Sequence, residues 1–277
     1  MKKKYILTLI AISILSWITV NMLHEIVGHA GFGLLSGLNL KAVNTTTAYF
    51  DVNWDNEISQ NGFSRLRFFL LGGVLINFLT GLIALLVLKY KKTLNSKMRL
   101  FLWLFASFSY IIVVMNLVTT PQMGGGDLAG IINTYDNQGL VGNIVLITGL
   151  FIMIFGYIFL QKSFMPEMKG NRAILLSLTA IPVIVIIIIQ TLSVLKSPFA
   201  YLPPSQNHLL ASVFAYFHFI LWAIIVNFIP SSSKTISVER VLPDSSIYWI
   251  TIGVIISVFY IFLLGHGIGS FIGHPSL

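Results

Sequence analysis

The chain is 277 residues long, 56% hydrophobic and only 9% charged, with a mean hydropathy of +0.87. A water-soluble domain carries about 25% charged residues, so this composition excludes a soluble enzyme and points to a chain built of membrane spans. There is no cysteine, which excludes disulfides, thiolate metal ligands and cysteine nucleophiles. The net charge of +8 lies in short loops between apolar runs, the pattern of membrane topology. The expected surroundings are a lipid bilayer, with no nucleic-acid partner.

Met1-Lys2-Lys3-Lys4 followed by the apolar stretch 5–20 has the outline of a signal peptide. Ser16-Trp17-Ile18-Thr19-Val20 offers no small-x-small cleavage site, and the run is read as a retained signal-anchor helix. A span needs about 20 predominantly apolar residues. Seven runs qualify, near 5–35, 66–88, 100–118, 140–160, 173–195, 208–229 and 246–266. The expected fold is therefore all-α, a polytopic transmembrane helical bundle of about seven spans. Thirteen basic residues fall on the N-terminal side of the alternating loops, and four (Lys41, Arg65, Arg67, Lys196) fall opposite. That bias predicts a cytoplasmic N-terminus and an extracytoplasmic C-terminus, with the cell membrane as the expected location.

Residues 36–64 form the one long polar connection. Within it, 45–54 is rich in β-branched and aromatic residues and reads as a strand, and Asn61-Gly62 reads as a closing turn. The expectation is a short β-element in the loop after the first span, either simply an ordered loop or an edge offered to an extended substrate.

The first apolar run ends in His24-Glu25-Ile26-Val27-Gly28-His29. Metal-dependent hydrolysis needs neutral imidazole ligands, a third ligand, an open position for water and a carboxylate to take a proton from that water. His24 and His29 are candidate ligands and Glu25 the candidate base. In a regular α-helix, residues i and i+5 lie about 140° apart, so the two imidazoles meet only if the helix widens. A π-bulge would bring them onto one face, and it is expected around Ile26 to Gly28. Two alternatives stay open: Glu25 and His29 form the facing pair while His24 points elsewhere, or the cluster simply reaches the membrane interface.

Two further patterns lie on the next two spans. Asn116-Leu117-Val118-Thr119-Thr120-Pro121-Gln122-Met123-Gly124-Gly125-Gly126-Asp127 closes the third. The charge-derived topology puts Asp127 on the histidine side, which makes it the candidate third ligand; a loop followed by a helix cap is the plainer reading. Gly73, Asn77 and Gly81 recur every four residues on the second span. They form a face where helices approach closely and Asn77 bonds across.

Taken together, His-Glu-His, Gly-x-x-x-Asn and Asn…Pro…Asp on three successive helices resemble the site-2 protease family of intramembrane zinc metalloproteases. The spacing of the first motif is similar to the H-E-L-L-G-H of the dipeptidyl peptidase III family, which binds zinc. The resemblance implies Zn2+ as cofactor, His24, His29 and Asp127 as ligands, and Glu25 as general base on a zinc-bound water. It implies that Asn77 and Asn116 position substrate or the third helix, and that the substrates are membrane-protein or signal-peptide segments. It covers roughly residues 15–135, and the chain is accordingly divided into a three-span metalloprotease-like core (1–138) and a four-span C-terminal region of unknown role (139–277). The chain departs from the family pattern in the longer histidine spacing, in Val74 where Pro is usual, in the longer interval from Asn116 to Asp127, and in Leu128 where Gly follows the acid.

Two rival readings remain. Gly124-Gly125-Gly126-Asp127 with Tyr135-Asp136 resembles a GxGD-type aspartyl intramembrane protease, though with the motifs in reversed order. A non-proteolytic transporter or structural membrane protein could use the same histidines to bind metal. His208, His218, His266 and His274 are scattered and read as packed or interfacial residues.

Overall fold

The computed structural model describes residues 3–91, 93–119, 121, 124, 126–164, 172–197, 208–228 and 245–269. The apolar runs fold as a helical bundle. A long helical rod comes first: α1 (Lys3–Met22), a π-helical segment (Leu23–Ala30) and α2 (Gly31–Leu35) follow without a break. After a β-hairpin, β1 (Leu40–Val43) and β2 (Ala48–Phe50), come the short α3 (Trp54–Asn61) and the long α4 (Ser64–Tyr90). Next is α5 (Ser96–Val114), which runs into a second π-segment (Met115–Thr119), followed by the short α6 (Gly126–Ile132). The remainder is α7 (Gln138–Phe164), α8 (Arg172–Val194), α9 (His208–Phe228), α10 (Ile247–Val258) with a third π-segment (Phe259–Leu264), and β3 (Ile268–Gly269).

Among the described residues, six helices are long and apolar enough to cross a membrane; the seventh expected span is α9, whose Ala215–Phe228 part is a shorter apolar helix. The rod and α5 form the interior of the bundle, with most of their apolar length buried. In contrast α7 turns Leu140, Ile144, Ile147, Phe151, Ile154 and Phe155 outward. Side chains this apolar, exposed in a row, suit lipid rather than water. The main core joins Trp17 of α1, Trp103 and Phe108 of α5, Phe219 and Trp222 of α9, and Tyr260. Trp17 stands edge-on to both Phe108 and Phe219, the arrangement that aromatic quadrupoles favour.

The expected β-element is present but its boundaries differ. The strand expected over 45–54 is split by chemistry local to two asparagines. Asn44 accepts from the amides of Thr46 and Thr47 at 2.8 and 2.9 Å, so the three threonines form the hairpin turn instead of a strand. Asn53 caps α3 by accepting from the Asn56 amide at 3.1 Å, so Trp54 begins a helix. That helix ends at Gly62, whose φ of +64° makes Asn61-Gly62 a helix stop. The hairpin pairs Leu40 with Phe50 and Val43 with Ala48, with a bulge between Leu40 and Ala42. The sheet order is β2-β1-β3, because the far end of the chain pairs antiparallel with β1 through Ala42–Gly269 and Val43–Ile268. The hairpin tip is buried: Thr45 Oγ1 lies 2.7 Å from Ser193 Oγ, and Asn44 Nδ2 donates to Ser197 Oγ at 3.1 Å.

Candidate metal centre

The π-segment Leu23–Ala30 is wider than the single bulge expected around Ile26 to Gly28. The Gly31 amide reaches back to the Ile26 carbonyl, five residues earlier, the hydrogen bond that defines a π-turn. The wider turn sorts the sequence onto two faces. Ile26 and Val27 are exposed and Glu25 is buried, while His24, Gly28 and His29 are buried on the side facing α4. Both histidines therefore share a face, which a regular helix forbids.

The buried face packs backbone to backbone against α4. A Cβ built on Gly28 would lie 2.5 Å from the Gly73 Cα, and one built on Gly73 would lie 2.6 Å from both His24 Cε1 and His29 Nε2. No other residue fits either position without moving a helix or an imidazole.

His24 Nε2 and His29 Nε2 face each other at 3.2 Å. Asp127 joins them from the first turn of α6, with Oδ2 3.3 Å from His24 Nε2 and Oδ1 3.3 Å from His29 Nε2. Ligand atoms at tetrahedral corners, about 2.0–2.1 Å from a zinc ion, stand about 3.4 Å from one another. The three separations match that spacing, and the donor set of two imidazoles and a carboxylate suits zinc and other first-row divalent metals. Among the described residues, these are the His and acidic side chains grouped so as to hold an ion.

The atoms behind the ligands fix their tautomers. His29 Nδ1 lies 3.1 Å from the Phe69 carbonyl. A carbonyl only accepts, so Nδ1 carries the proton and Nε2 keeps its lone pair. His24 Nδ1 lies 3.0 Å from the Asn77 amide nitrogen, while Asn77 Oδ1 is buried without a partner. Turning that amide over, which leaves its shape unchanged, lets His24 Nδ1–H donate to Asn77 Oδ1. Both imidazoles then present bare Nε2 atoms, each oriented by a group behind it, as metal-ligating histidines require.

Glu25, next to His24, is 5% exposed, and its Oε2 has no hydrogen-bond partner. An unpaired buried carboxylate oxygen is costly, and here it lies within electrostatic reach of the three converging ligands.

The remaining sequence candidates fall elsewhere. Asn116 is buried in the second π-segment and donates to the Ile112 carbonyl of its own helix at 3.2 Å. Asp127 stands with the two histidines, not with Asp136. His218 is buried with Nε2 2.5 Å from Thr119 Oγ1, His266 is exposed, the side chain of His208 is not described, and His274 lies outside the described residues. Sequence reasoning missed the Phe69 carbonyl, because a backbone group leaves no residue signature. It also missed that Val74 and Leu128 share one small apolar cluster with Val113.

Comparison with protein-family models, curated proteins and solved structures gives no match for this chain. The class rests on the fold and site alone: a helical membrane bundle with a His-His-Asp cluster suited to a metal ion.

Proposed function

We propose that this protein is an intramembrane zinc metalloprotease of site-2 protease type. The observation that carries the reading is the convergence of His24, His29 and Asp127 at 3.2–3.3 Å beside the unpaired carboxylate of Glu25. His24, His29 and Asp127 would hold a zinc ion, which would supply Lewis acidity and lower the pKa of a bound water. Glu25 takes the proton from the attacking water and returns it to the leaving amine. Asn77 and the Phe69 carbonyl hold the imidazoles in the ligating tautomer. Two of the departures from the family pattern, Val74 and Leu128, are neighbours in one cluster, which supports a matched repacking around the third ligand.

Substrates on this reading are membrane-protein or signal-peptide segments that enter from the bilayer and unwind. The hairpin packs on the π-segment, and β1 is paired on both sides. Among the described residues the outer edge of β2 carries no partner strand, so it is where an extended segment would add. On this reading the protein lies in the cell membrane, and the charge bias supports an N-terminus in the cytoplasm and a C-terminus outside.

The test is to purify the full chain in lipid nanodiscs, measure bound zinc, and follow cleavage of a membrane-anchored reporter by wild type and Glu25→Gln. Zinc retained in both, with cleavage in the wild type alone, is the expected result. Equal cleavage, or none with zinc bound, overturns the protease reading and leaves a metal-binding membrane protein.

A further inference from the structure

The three ligands come from two elements, the first rod and α6, yet one helix stands behind all of them. On α4, Phe69 supplies the carbonyl behind His29, Asn77 supplies the amide behind His24, and Gly73 makes room for both rings. The same helix also grips α6. Its Leu70 side chain lies 2.7 Å from where a Cβ on Gly130 would stand, and its Val74 shares the cluster of Leu128. The strongest contact is made by Arg67. Its Nε donates to Thr134 Oγ1 at 2.7 Å and its Nη2 to the Thr134 carbonyl at 2.9 Å, and its guanidinium lies 4.1 Å from the centre of the Tyr135 ring.

This grip matters because α6 cannot place itself. It is 7 residues long, far below the length at which a helix is stable alone. The chain entering it passes through Gly124 and Gly126, both at positive φ (+70° and +77°), so the incoming backbone is of the kind that only glycine adopts readily. Asp127 lies in the first turn of α6 and Thr134 just past its last turn, about 10 Å apart at 1.5 Å per residue. A forked contact at the far end therefore sets both the axis of α6 and the direction of the carboxylate at its near end.

We propose that Arg67 is a positioning residue of the metal centre, the clamp that sets α6 so that Asp127 completes the ligand set. The inference rests on the metal reading but not on proteolysis. Lysine cannot replace it, because an ammonium lacks the planar fork that reaches a hydroxyl and a carbonyl together while stacking on a ring.

The test uses the full chain in nanodiscs and two metals. Zinc affinity is measured by competition with a chromophoric chelator, and the ligand field by the visible spectrum of the cobalt-loaded protein. Wild type is compared with Arg67→Ala, Arg67→Lys, Thr134→Val and Asp127→Asn. Arg67→Ala and Arg67→Lys are expected to weaken zinc by about tenfold or more, and Thr134→Val by less. At saturating cobalt the Arg67→Ala spectrum should move towards that of Asp127→Asn, a change that lost packing alone would not produce. Wild-type affinity and an unshifted spectrum in Arg67→Ala, with Asp127→Asn altered, would overturn the proposal. Failure of the wild type to bind either metal would instead sink the metal reading beneath it. If Arg67→Ala does not fold, Arg67→Lys and Thr134→Val decide the matter by the same two readouts.

Discussion

Two buried polar clusters sit on the first helical rod, separated by a single turn, and they are built on opposite principles. In the first, Trp17 Nε1 donates to Gln190 Oε1 at 3.2 Å, and the Tyr260 hydroxyl lies 2.7 Å from the same oxygen and 2.9 Å from Asn21 Oδ1. Tryptophan can only donate and tyrosine has one proton to give, so the cluster closes once the Asn21 amide turns its nitrogen to Tyr260. None of these four side chains leaves a buried polar atom unpaired. In the second cluster the two imidazoles point lone pairs at each other and at a carboxylate, and Glu25 Oε2 has no partner. A balanced set of donors and acceptors holds helices together; a surplus of acceptors at one point calls for a cation. The contrast separates a structural network from a site using hydrogen-bond arithmetic alone.

The sharpest way to break the contrast is at Glu25. Glu25→Gln keeps the shape but removes the base, and cleavage of a membrane-anchored reporter should fall about 10²–10⁴-fold while bound zinc is unchanged. Next comes the metal itself. His24→Ala and His29→Ala should each lose zinc in an elemental assay, and a chelator should lower the unfolding temperature of the wild type but not of these variants, since only a bound ligand stabilises the native state by linkage.

Gly73→Ala tests the close approach behind the rings. Its methyl would stand 2.6 Å from an atom of each imidazole, so it should cost about 1–3 kcal/mol of stability and lower zinc affinity together, read by denaturation and chelator competition. The smallest effect belongs to the balanced cluster. Tyr260→Phe leaves Gln190 and Asn21 short of a partner and should cost about 1–2 kcal/mol, with zinc affinity and the cobalt spectrum as in the wild type. A cobalt spectrum altered by Tyr260→Phe would show that the two clusters are one site after all.

The candidate site residues were legible because their chemistry is rare in such a chain: two imidazoles and an acid within six residues, and one more acid after three glycines. The helices were legible because an apolar run of span length has few other structures open to it. Less was legible wherever one hydrogen bond decides between two local structures. Thr45-Thr46-Thr47 has strand composition, yet the Asn44 side chain captures two amides and bends it. The histidine spacing leads to a bulge, but the segment runs from Leu23 to Ala30 and packs closely on Gly72 and Gly73, a contact between helices that local spacing does not carry. The pairing of β3 with β1 joins residues more than two hundred positions apart, beyond any pattern of local periodicity.

The sequence by itself determined the medium, the helical class and the identity of the candidate ligands, because hydropathy and side-chain chemistry are carried by each residue wherever it lies. Only the tertiary structure decided that the ligands meet. That outcome depends on a widened helix turn, on glycines that bring α4 against it, on a backbone carbonyl at Phe69, and on Arg67 holding a short helix by its far end. Each of these is a relation between distant residues, set by steric fit and hydrogen-bond geometry.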